Sequence, residues 1–396
     1  MVLKYSSSLL RNVRYLHHQR TSFALTQEKT NLTQAVTDAE KVVGYPTSFL
    51  NLRWLLTDEL ANVAMHIRKL MELDHPLIDT ARKMFMGNNS DMPWGLIVLL
   101  VSNSCGIRES SSEYDCDSSA GVLYSQRALA EITEMIRTSN ILHKNIQNFN
   151  KQTSDQLMGE LNFGNKMALL SGDYLLSKSF HKLALLRNSD LNALISSALR
   201  DLVEADFIGN HDEQTLLPSK PVNTQSRVQI VDNFGTEPYE VSTVLGNPIA
   251  EWTLRSILGG ASLLAKACRG ALILARHSED IQELGFSVGK NIALAWQVKI
   301  EREPFLPSQS GKFSLMSAPV MVHLEHLPNS YEKIKSCAQN ASNIDYEDIR
   351  KEIQSGPGLE GARHLQQHFS NEAFSALNKL PKSDARLALE NIVKTM

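Results

Sequence analysis

The chain has 396 residues, of which 42% are hydrophobic and 21% are charged, and these values are ordinary for a globular protein. The length admits one large domain or two smaller ones. A formal net charge of −3 gives no reason to expect a nucleic-acid partner. The four cysteines have neither metal-ligand spacing nor a disulfide pattern, which indicates a reducing compartment. No apolar run in the sequence stands out as long enough to span a membrane.

Residues 1–27 differ in composition from the rest of the chain. They carry several serines and basic residues and no acidic residue, the first acid being Glu28. The basic residues are Lys4, Arg11, Arg14 and Arg20. Arg11 and Arg14 interrupt the apolar run that a secretory signal would need. The segment is therefore predicted to be a cleaved mitochondrial presequence, and a disordered basic tail is the alternative.

Residues 28–57 show no clear pattern, but from Asp58 onward apolar residues recur at helical spacing almost everywhere. The clearest stripes run over Leu60–Leu70, Leu191–Ala205, Ile257–Ala275, Ile281–Ala295 and Ala362–Leu380. No Asn-Gly turn joins two alternating runs, so strands are not predicted. These patterns predict an all-α fold over 58–396.

The stretch Ala120–Phe149 is predicted to be a long amphipathic helix, with Ser118 or Ser119 as its N-cap. The polar side of its last turn carries Lys144, Asn145 and Asn148. Carboxylates at such positions bind divalent cations and, through them, a diphosphate. Here a cation and two neutral amides take their place, and the Lys144 ammonium would repel Mg²⁺.

The segment Leu129–His143 resembles the helix of trans-prenyl diphosphate synthases that ends in His-Asp-Asp-x-x-Asp. On that pattern the three aspartates fall on Lys144, Asn145 and Asn148. Gly164–Leu176 is similar to a second helix of the family, Gly-x-Lys-x-Ala-x-Leu-x-Gly-Asp-x-Leu. Its small residues and Asp173 are predicted to serve helix packing and hydrogen bonding rather than chemistry.

The segment Gly289–Gln297 resembles the lead-in to the second aspartate-rich motif of the family. The three aspartate positions then fall on Ile300, Glu301 and Pro304. Glu301 and the neighbouring Glu303 could in principle bind a metal, but beside an arginine they more often form a solvated helix end. Pro304 predicts that the helix stops there.

Other diphosphate-binding parts of the family are also missing. Gly87–Gly95 lacks the early Gly-Gly-Lys-x-x-Arg-Pro, and no Arg-Arg-Gly follows the first motif. The Lys-Thr pair of a later helix is replaced by Gly259 and Gly260, which predict a kink or a close contact with a neighbouring helix. Because the resemblance continues across the Pro- and Gly-containing stretch 209–238, that stretch is predicted to be a surface insertion and not a linker.

The resemblance implies a single large helical bundle of the isoprenoid synthase type. Active relatives use Mg²⁺ between two carboxylate clusters to stabilise a departing diphosphate. With those ligands replaced, this chain is expected to have no catalytic, metal or cofactor residues of its own. It resembles the non-catalytic subunits of the family. This implies a hetero-oligomer, expected to be a heterotetramer, with a catalytic, aspartate-containing polyprenyl diphosphate synthase subunit that holds the Mg²⁺.

The product expected of that complex is the polyprenyl side chain of ubiquinone, made in the mitochondrial matrix. The apolar stripe of Ala120–Phe149 is expected to need cover from the partner subunit.

Two rival functions remain open. One is a stand-alone prenyl-diphosphate-binding protein that uses Lys144 and nearby cations, without metal. The other is a self-sufficient transferase with Glu301, Glu303 and Asp173 as improvised ligands.

Overall fold

The computed structural model describes residues 32–44, 92–107, 116–117, 121–147, 155–208, 211–212, 215–222, 244–306, 311–337 and 344–396. Several predicted features therefore lie outside the described residues. These are the presequence at 1–27, the stripe Leu60–Leu70, the segment Gly87–Asp91, the residues Ser118, Ser119 and Asn148, and most of the insertion at 209–238.

The described residues are mostly helical, and the all-α prediction is confirmed. The helices are α1 (32–43), α2 (Trp94–Cys105), α3 (Tyr124–Lys144), α4 (Asp155–Leu185), α5 (Ser189–Glu204), α6 (Pro248–Ser256), α7 (Ser262–Leu274), α8 (Glu279–Arg302), α9 (Ala318–His326), α10 (Ser330–Cys337), α11 (Tyr346–Ser355), α12 (Gly358–Leu377) and α13 (Asp384–Lys394). Short 3₁₀ turns follow α5 and α8, at Ala205–Phe207 and Glu303–Phe305.

The prediction of no strands is wrong in detail, since the described residues include two antiparallel ladders of two residues per strand. Strand β1 (Cys116–Asp117) pairs with β2 (Val122–Leu123), and β3 (His211–Asp212) pairs with β4 (Thr215–Leu216). Pairings this short give no alternating pattern that sequence periodicity could detect.

Helix α3 is shorter than the sequence predicts. It begins at Tyr124, because Val122 and Leu123 pair in β2, and the backbone N–H of Leu123 donates to Gln126 Oε1 at 2.9 Å. The helix ends at Lys144, with Asn145 as its C-cap. The predicted N-cap at Ser118 or Ser119 is therefore wrong.

The apolar stripe of α3 is covered within the chain. Leu129, Ile132 and Met135 are fully buried, and α3 packs against α2, α4 and α7. The expectation that this stripe needs cover from a partner is therefore wrong. Sequence alone cannot separate core from interface, because both require the same apolar spacing.

Helices α7 and α8 pack closely where Gly289 faces α7. A Cβ built on Gly289 would lie 2.8 Å from the carbonyl oxygen of Leu264 and 2.9 Å from the Cα of Ala265. Helix α8 also packs along α12. The close approach of α7 and α8 thus depends on a glycine, which has no side chain, at position 289.

The chain between α6 and α7 contains the predicted kink. Residues Ile257–Ala261 form a π-helical segment, and a Cβ on Gly260 would lie 2.9 Å from the ring of Trp94. The merged span Pro248–Leu274 is long and apolar enough, by length and composition only, to cross a membrane. In its most apolar window, 72% is buried inside the protein, which is typical of a core helix.

Residues 32–43, which the sequence left as part of a poorly defined lead-in, form helix α1. Leu32, Val36, Ala39 and Val43 lie at helical spacing and are buried in the same hydrophobic cluster as the other helices. Part of the segment before Asp58 therefore belongs to the packed core.

Changing Gly289 to Ala should destabilise the protein by about 1–3 kcal/mol, because the new methyl group meets backbone atoms on α7 that cannot move aside. The control is Gly159→Ala on α4, where a Cβ meets nothing within 4 Å. That change should stabilise the helix by about 0.5–1 kcal/mol. Denaturant unfolding of both variants measures the difference. Equal effects of the two changes would contradict the close packing of α7 on α8.

A buried histidine joins α9 to α10 and α11. His323 is 1% exposed, and its Nε2 lies 3.2 Å from Ser330 Oγ and 3.8 Å from Glu352 Oε1. Burial lowers the pKa of His323 below its ordinary value, more than the opposing attraction of Glu352 raises it. Glu352 is itself held by Lys333 Nζ at 2.7 Å. The folded protein therefore favours a neutral imidazole.

This burial predicts a pH dependence of stability. As pH falls below about 6.5, the unfolded chain binds a proton at His323 that the folded chain resists, so stability falls by up to about 1.4 kcal/mol per pH unit. His323→Gln should remove this slope, and His364→Gln should not, since His364 lies on the exposed side of α12. Urea unfolding between about pH 5.5 and 7.5 tests the difference. Parallel pH profiles for the wild type and His323→Gln would contradict it.

Candidate functional site

The first-motif positions lie at the C-terminal end of α3. Lys144 Nζ lies 3.7 Å from Asp206 Oδ1, and both side chains are about half exposed. Asn145 caps the helix, and its backbone N–H donates to Leu142 O at 3.1 Å. Asn148, the third position, lies outside the described residues. We call the first-motif positions at the end of α3 the first wall, and the second-motif positions at the end of α8 the second wall. The two described positions of the first wall thus present a positive charge and an amide.

Helix α4 holds the end of this first wall in place. Asn165 Nδ2 donates to the carbonyl of Gln147 at 2.7 Å, and Asn165 Oδ1 accepts the backbone N–H of Gln147 at 2.8 Å. Both backbone groups of Gln147 are therefore fixed by one side chain. The sequence indicated Asn165 only as part of a motif, and this role was missed because the pairing joins residues 18 positions apart.

The motif on α4 serves packing, as its small residues suggested. Ser139 Oγ donates to Gly172 O at 2.8 Å, and a Cβ on Gly172 would lie 2.3 Å from His143 Nε2. The same Nε2 lies 3.2 Å from Asp173 Oδ1 without hydrogen-bond geometry. Gly172 therefore makes room for the His143 ring between α3 and α4.

The second-motif position Glu301 is a structural acceptor. Its Oε2 accepts the Trp252 Nε1–H and the backbone N–H of Ala318, each at 2.7 Å, and its Oε1 accepts from Gln297 Nε2 at 2.7 Å. Ala318 is the first residue of α9, so the carboxylate also caps that helix. Burial raises the pKa of Glu301, and the three hydrogen bonds oppose this shift. The interpretation of Glu301 as a solvated helix end is wrong.

The remaining second-motif positions carry no side chain suited to a metal. Ile300 is 38% exposed, and Pro304 belongs to the 3₁₀ turn that ends α8, as predicted. The Pro304 carbonyl accepts from Arg350 Nε at 2.9 Å. Glu303 is exposed. The carboxylate of Glu301 is half-buried, and it is already used in the packing of α6, α8 and α9.

An aromatic ring packs against Gly260, which stands where the family has part of its Lys-Thr pair. Trp94 is buried against Gly260, and the Arg137 guanidinium lies 4.9 Å from the centre of the Trp94 ring. Arg137 also donates to the carbonyl of Met92 at 2.9 Å. Arg137 is therefore held in structural contacts. No spacing rule could reveal them in the sequence, because these partners lie at and before the start of α2.

Among the described residues, no three His, Cys, Asp or Glu side chains lie close enough together to hold a metal ion. Carboxylates near the two motifs are Asp173, Asp206, Glu301 and Glu303. Of these, Asp206 contacts Lys144, and Glu301 accepts three hydrogen bonds.

Comparison with known proteins identifies the family. The chain is 39% identical over 369 residues to the All trans-polyprenyl-diphosphate synthase PDSS2 of Homo sapiens, covering 91% of this chain and 86% of that protein. This chain belongs to the trans-polyprenyl diphosphate synthase family. It is also 32% identical over 288 residues to the probable hexaprenyl pyrophosphate synthase, mitochondrial, of Yarrowia lipolytica, over 70% of this chain and 58% of that protein. No protein-family model matches the chain.

Solved structures of synthases share the isoprenoid synthase fold. The apo form of an Arabidopsis medium/long-chain length prenyl pyrophosphate synthase aligns over 86% of this chain and 96% of its own, with a TM-score of 0.53 and 24% identity. A decaprenyl diphosphate synthase from Rhodobacter capsulatus aligns over 87% and 96%, with a TM-score of 0.54 and 18% identity. The predicted helical bundle of this type is confirmed.

Placing an aspartate at position 301 should damage the fold and should not produce Mg²⁺-dependent prenyl transfer. In Glu301→Asp the carboxylate is one methylene shorter and cannot reach Trp252, Gln297 and Ala318 together, so stability should fall by about 1–3 kcal/mol. Glu303→Asp, at the exposed neighbour, should change stability by less than about 0.5 kcal/mol.

Urea unfolding measures both variants, and a prenyl-transfer assay with Mg²⁺ checks for activity. Unchanged stability of Glu301→Asp would show that the three hydrogen bonds are dispensable. Mg²⁺-dependent turnover by that variant would show that the position still works as a metal ligand.

Proposed function

We propose that this chain is the non-catalytic subunit of a hetero-oligomeric trans-polyprenyl diphosphate synthase. In the complex, a second family member with intact aspartate motifs condenses isopentenyl diphosphate onto an allylic diphosphate. The observation that carries the proposal is which side chains occupy the motif positions and what they contact. Lys144 puts a cation on the first wall, and Glu301 on the second wall is committed to three donors.

The chemistry explains why these replacements matter. The reaction breaks a carbon–oxygen bond to a diphosphate, and the leaving group must be stabilised as negative charge builds up on it. Mg²⁺ supplies that stabilisation when carboxylates and phosphate oxygens bind it together. A wall with Lys144 and Asn145 at its described positions offers no anionic ligand there. The Mg²⁺ of the proposed complex is therefore assigned to the partner subunit, and none is assigned to this chain.

The exposed apolar side chains of α4, α5 and the following turn support a docking role. We call the surface around Val203 and Phe207 the α4–α5 face; these two side chains are 53% and 76% exposed, and α4 has further exposed apolar residues at Leu169, Leu170 and Leu185. A groove of about 660 Å³ lies between the two helices, and Phe180, Leu199 and Phe207 are among its lining residues. Exposed apolar grooves of this kind are typical of interaction sites in soluble proteins.

The aspartate-bearing homologue is the occupant that fits this face best. A chain of this family that cannot hold Mg²⁺ contributes to synthesis only beside one that can, and an apolar groove between helices suits a helical partner. We propose a heterotetramer with two chains of each kind. This interface replaces the α3 stripe as the proposed contact, because that stripe is buried within the chain.

We also propose a place and a product for the complex. Relatives from Yarrowia lipolytica and Neurospora crassa are named as probable mitochondrial hexaprenyl pyrophosphate synthases. Together with the acid-free basic segment at 1–27, these names support import into the mitochondrial matrix and removal of that segment. The proposed product is the polyprenyl side chain of ubiquinone.

The rival functions have less support from the geometry. A stand-alone diphosphate-binding protein would rely on Lys144 and Arg137, but Lys144 contacts Asp206, and Arg137 is held by Met92 and Trp94. A self-sufficient transferase would need Glu301 as a metal ligand. Releasing that carboxylate from three donors would leave buried polar groups unsatisfied.

The proposal is tested by reconstitution with an aspartate-bearing homologue from the same organism. The purified chain alone, given farnesyl diphosphate, isopentenyl diphosphate and Mg²⁺, should make no polyprenyl product, and the mixture should make it. Phe207→Asp places a charge on the α4–α5 face and should weaken association by more than about 2 kcal/mol, with loss of activity.

The matched control is Leu387→Asp on α13, which is 52% exposed and distant in sequence from that face. It should leave association and activity unchanged. Turnover by this chain alone would overturn the non-catalytic assignment, and full activity of the homologue without this chain would overturn the complex. Normal association of folded Phe207→Asp would place the interface elsewhere.

A further inference from the structure

A buried ion pair fixes α5 against α7. The Lys266 side chain is fully buried, and its Nζ donates to Asp201 Oδ2 at 2.6 Å. Ser262 Oγ donates to the same oxygen at 2.5 Å. Ser262 and Lys266 are one helical turn apart on α7, immediately after the π-helical segment Ile257–Ala261. Two side chains of α7 thus donate hydrogen bonds to a single carboxylate of α5.

The second oxygen of this carboxylate is bound from the side of the α4–α5 groove. Arg200 NH2 donates to Asp201 Oδ1 at 3.1 Å, and Arg200 Nε lies 3.9 Å from Glu204 Oε2. Arg200 and Glu204 both line the groove, together with Val203 and Phe207. Asp201 therefore connects the interior of the bundle to the proposed docking surface through one side chain.

The stability of the protein alone does not account for such a pair. Burying two charges costs desolvation energy that their attraction barely offsets, and hydrophobic replacements of such pairs are often neutral or stabilising. Apolar contacts define only poorly the register of two helices, that is, how far one is shifted along the other. The buried apolar residues of α5 are Leu191, Leu194, Ile195, Ala198 and Leu202, and this pattern nearly repeats with each helical turn. A single buried polar pair distinguishes one register from the next.

We propose that Asp201 and Lys266 are positioning residues that set the register of α5 on α7 and thereby shape the groove for the partner subunit. This inference rests on the proposed function, since the groove is its docking site. A shift of α5 by one turn would displace Val203, Phe207 and Arg200 by about 5.4 Å along the face. The apolar core would survive such a shift far better than a complementary interface would.

The test separates register from stability. Asp201→Leu with Lys266→Met replaces the pair by apolar side chains, and its thermal midpoint should equal or exceed that of the wild type. Its affinity for the aspartate-bearing homologue should fall at least about tenfold, which corresponds to about 1.4 kcal/mol. Asp201→Asn with Lys266→Gln keeps a polar pair without charge, and it should regain part of that affinity.

The matched control removes another ion pair of α7. Arg269 NH1 lies 3.4 Å from Glu283 Oε2 and joins α7 to α8 instead of α5. Arg269→Gln with Glu283→Gln should bind the homologue as the wild type does. Circular dichroism measures folding and thermal midpoint, and binding to immobilised homologue measures affinity.

The outcomes are distinct. Wild-type affinity of the folded double variant Asp201→Leu with Lys266→Met would overturn the positioning role while leaving the proposed complex intact. Failure of that double variant to fold would also overturn it, because the pair would then serve stability. Absence of binding by the unaltered chain would overturn the proposed complex and the positioning role with it.

Discussion

Leu129, Ile132, Met135 and Ile136 of α3 are buried among α2, α4 and α7, and these three helices are held together by covering this stripe. Because α3 is enclosed by its own chain, its direction and its end at Lys144 are fixed by packing. Replacing the residues at that end does not disturb the enclosed part. The core and the metal-binding positions of this fold are therefore separable, and one can persist without the other.

The two motif walls differ in how they depart from a metal site. On the first wall the ligand positions carry Lys144 and Asn145, which lie at the surface or near it. On the second wall Glu301 keeps a carboxylate but turns it inward to Trp252 and the N-terminus of α9. An acceptor of three donors is no longer available to a cation. Chemical identity at a motif position is thus a poor guide to its function.

The helical stripes were predictable because burial imposes a spacing that sequence displays directly. The kink at Gly259 and Gly260, the stop at Pro304 and the packing role of Gly172 were also predictable, since each follows from the conformational limits of proline or the small size of glycine. The start of α3 was not, because Leu123 is held by a two-residue ladder with a partner earlier in the chain. Whether Ile132 faces core or partner could not be decided, since both environments select the same side chain.

The buried pair of Asp201 and Lys266 was missed for a related reason. A lysine within an otherwise apolar stripe of α7 is a visible anomaly, but its partner lies 65 residues away on α5 and no spacing rule connects them. The Glu301 cluster is similar, since Trp252 lies 49 residues away. Apolar burial is predictable because it is non-specific, whereas a polar contact is specific to one partner. The specific polar contacts of this chain adjoin the second motif position, through Glu301, and the α4–α5 face, through Asp201.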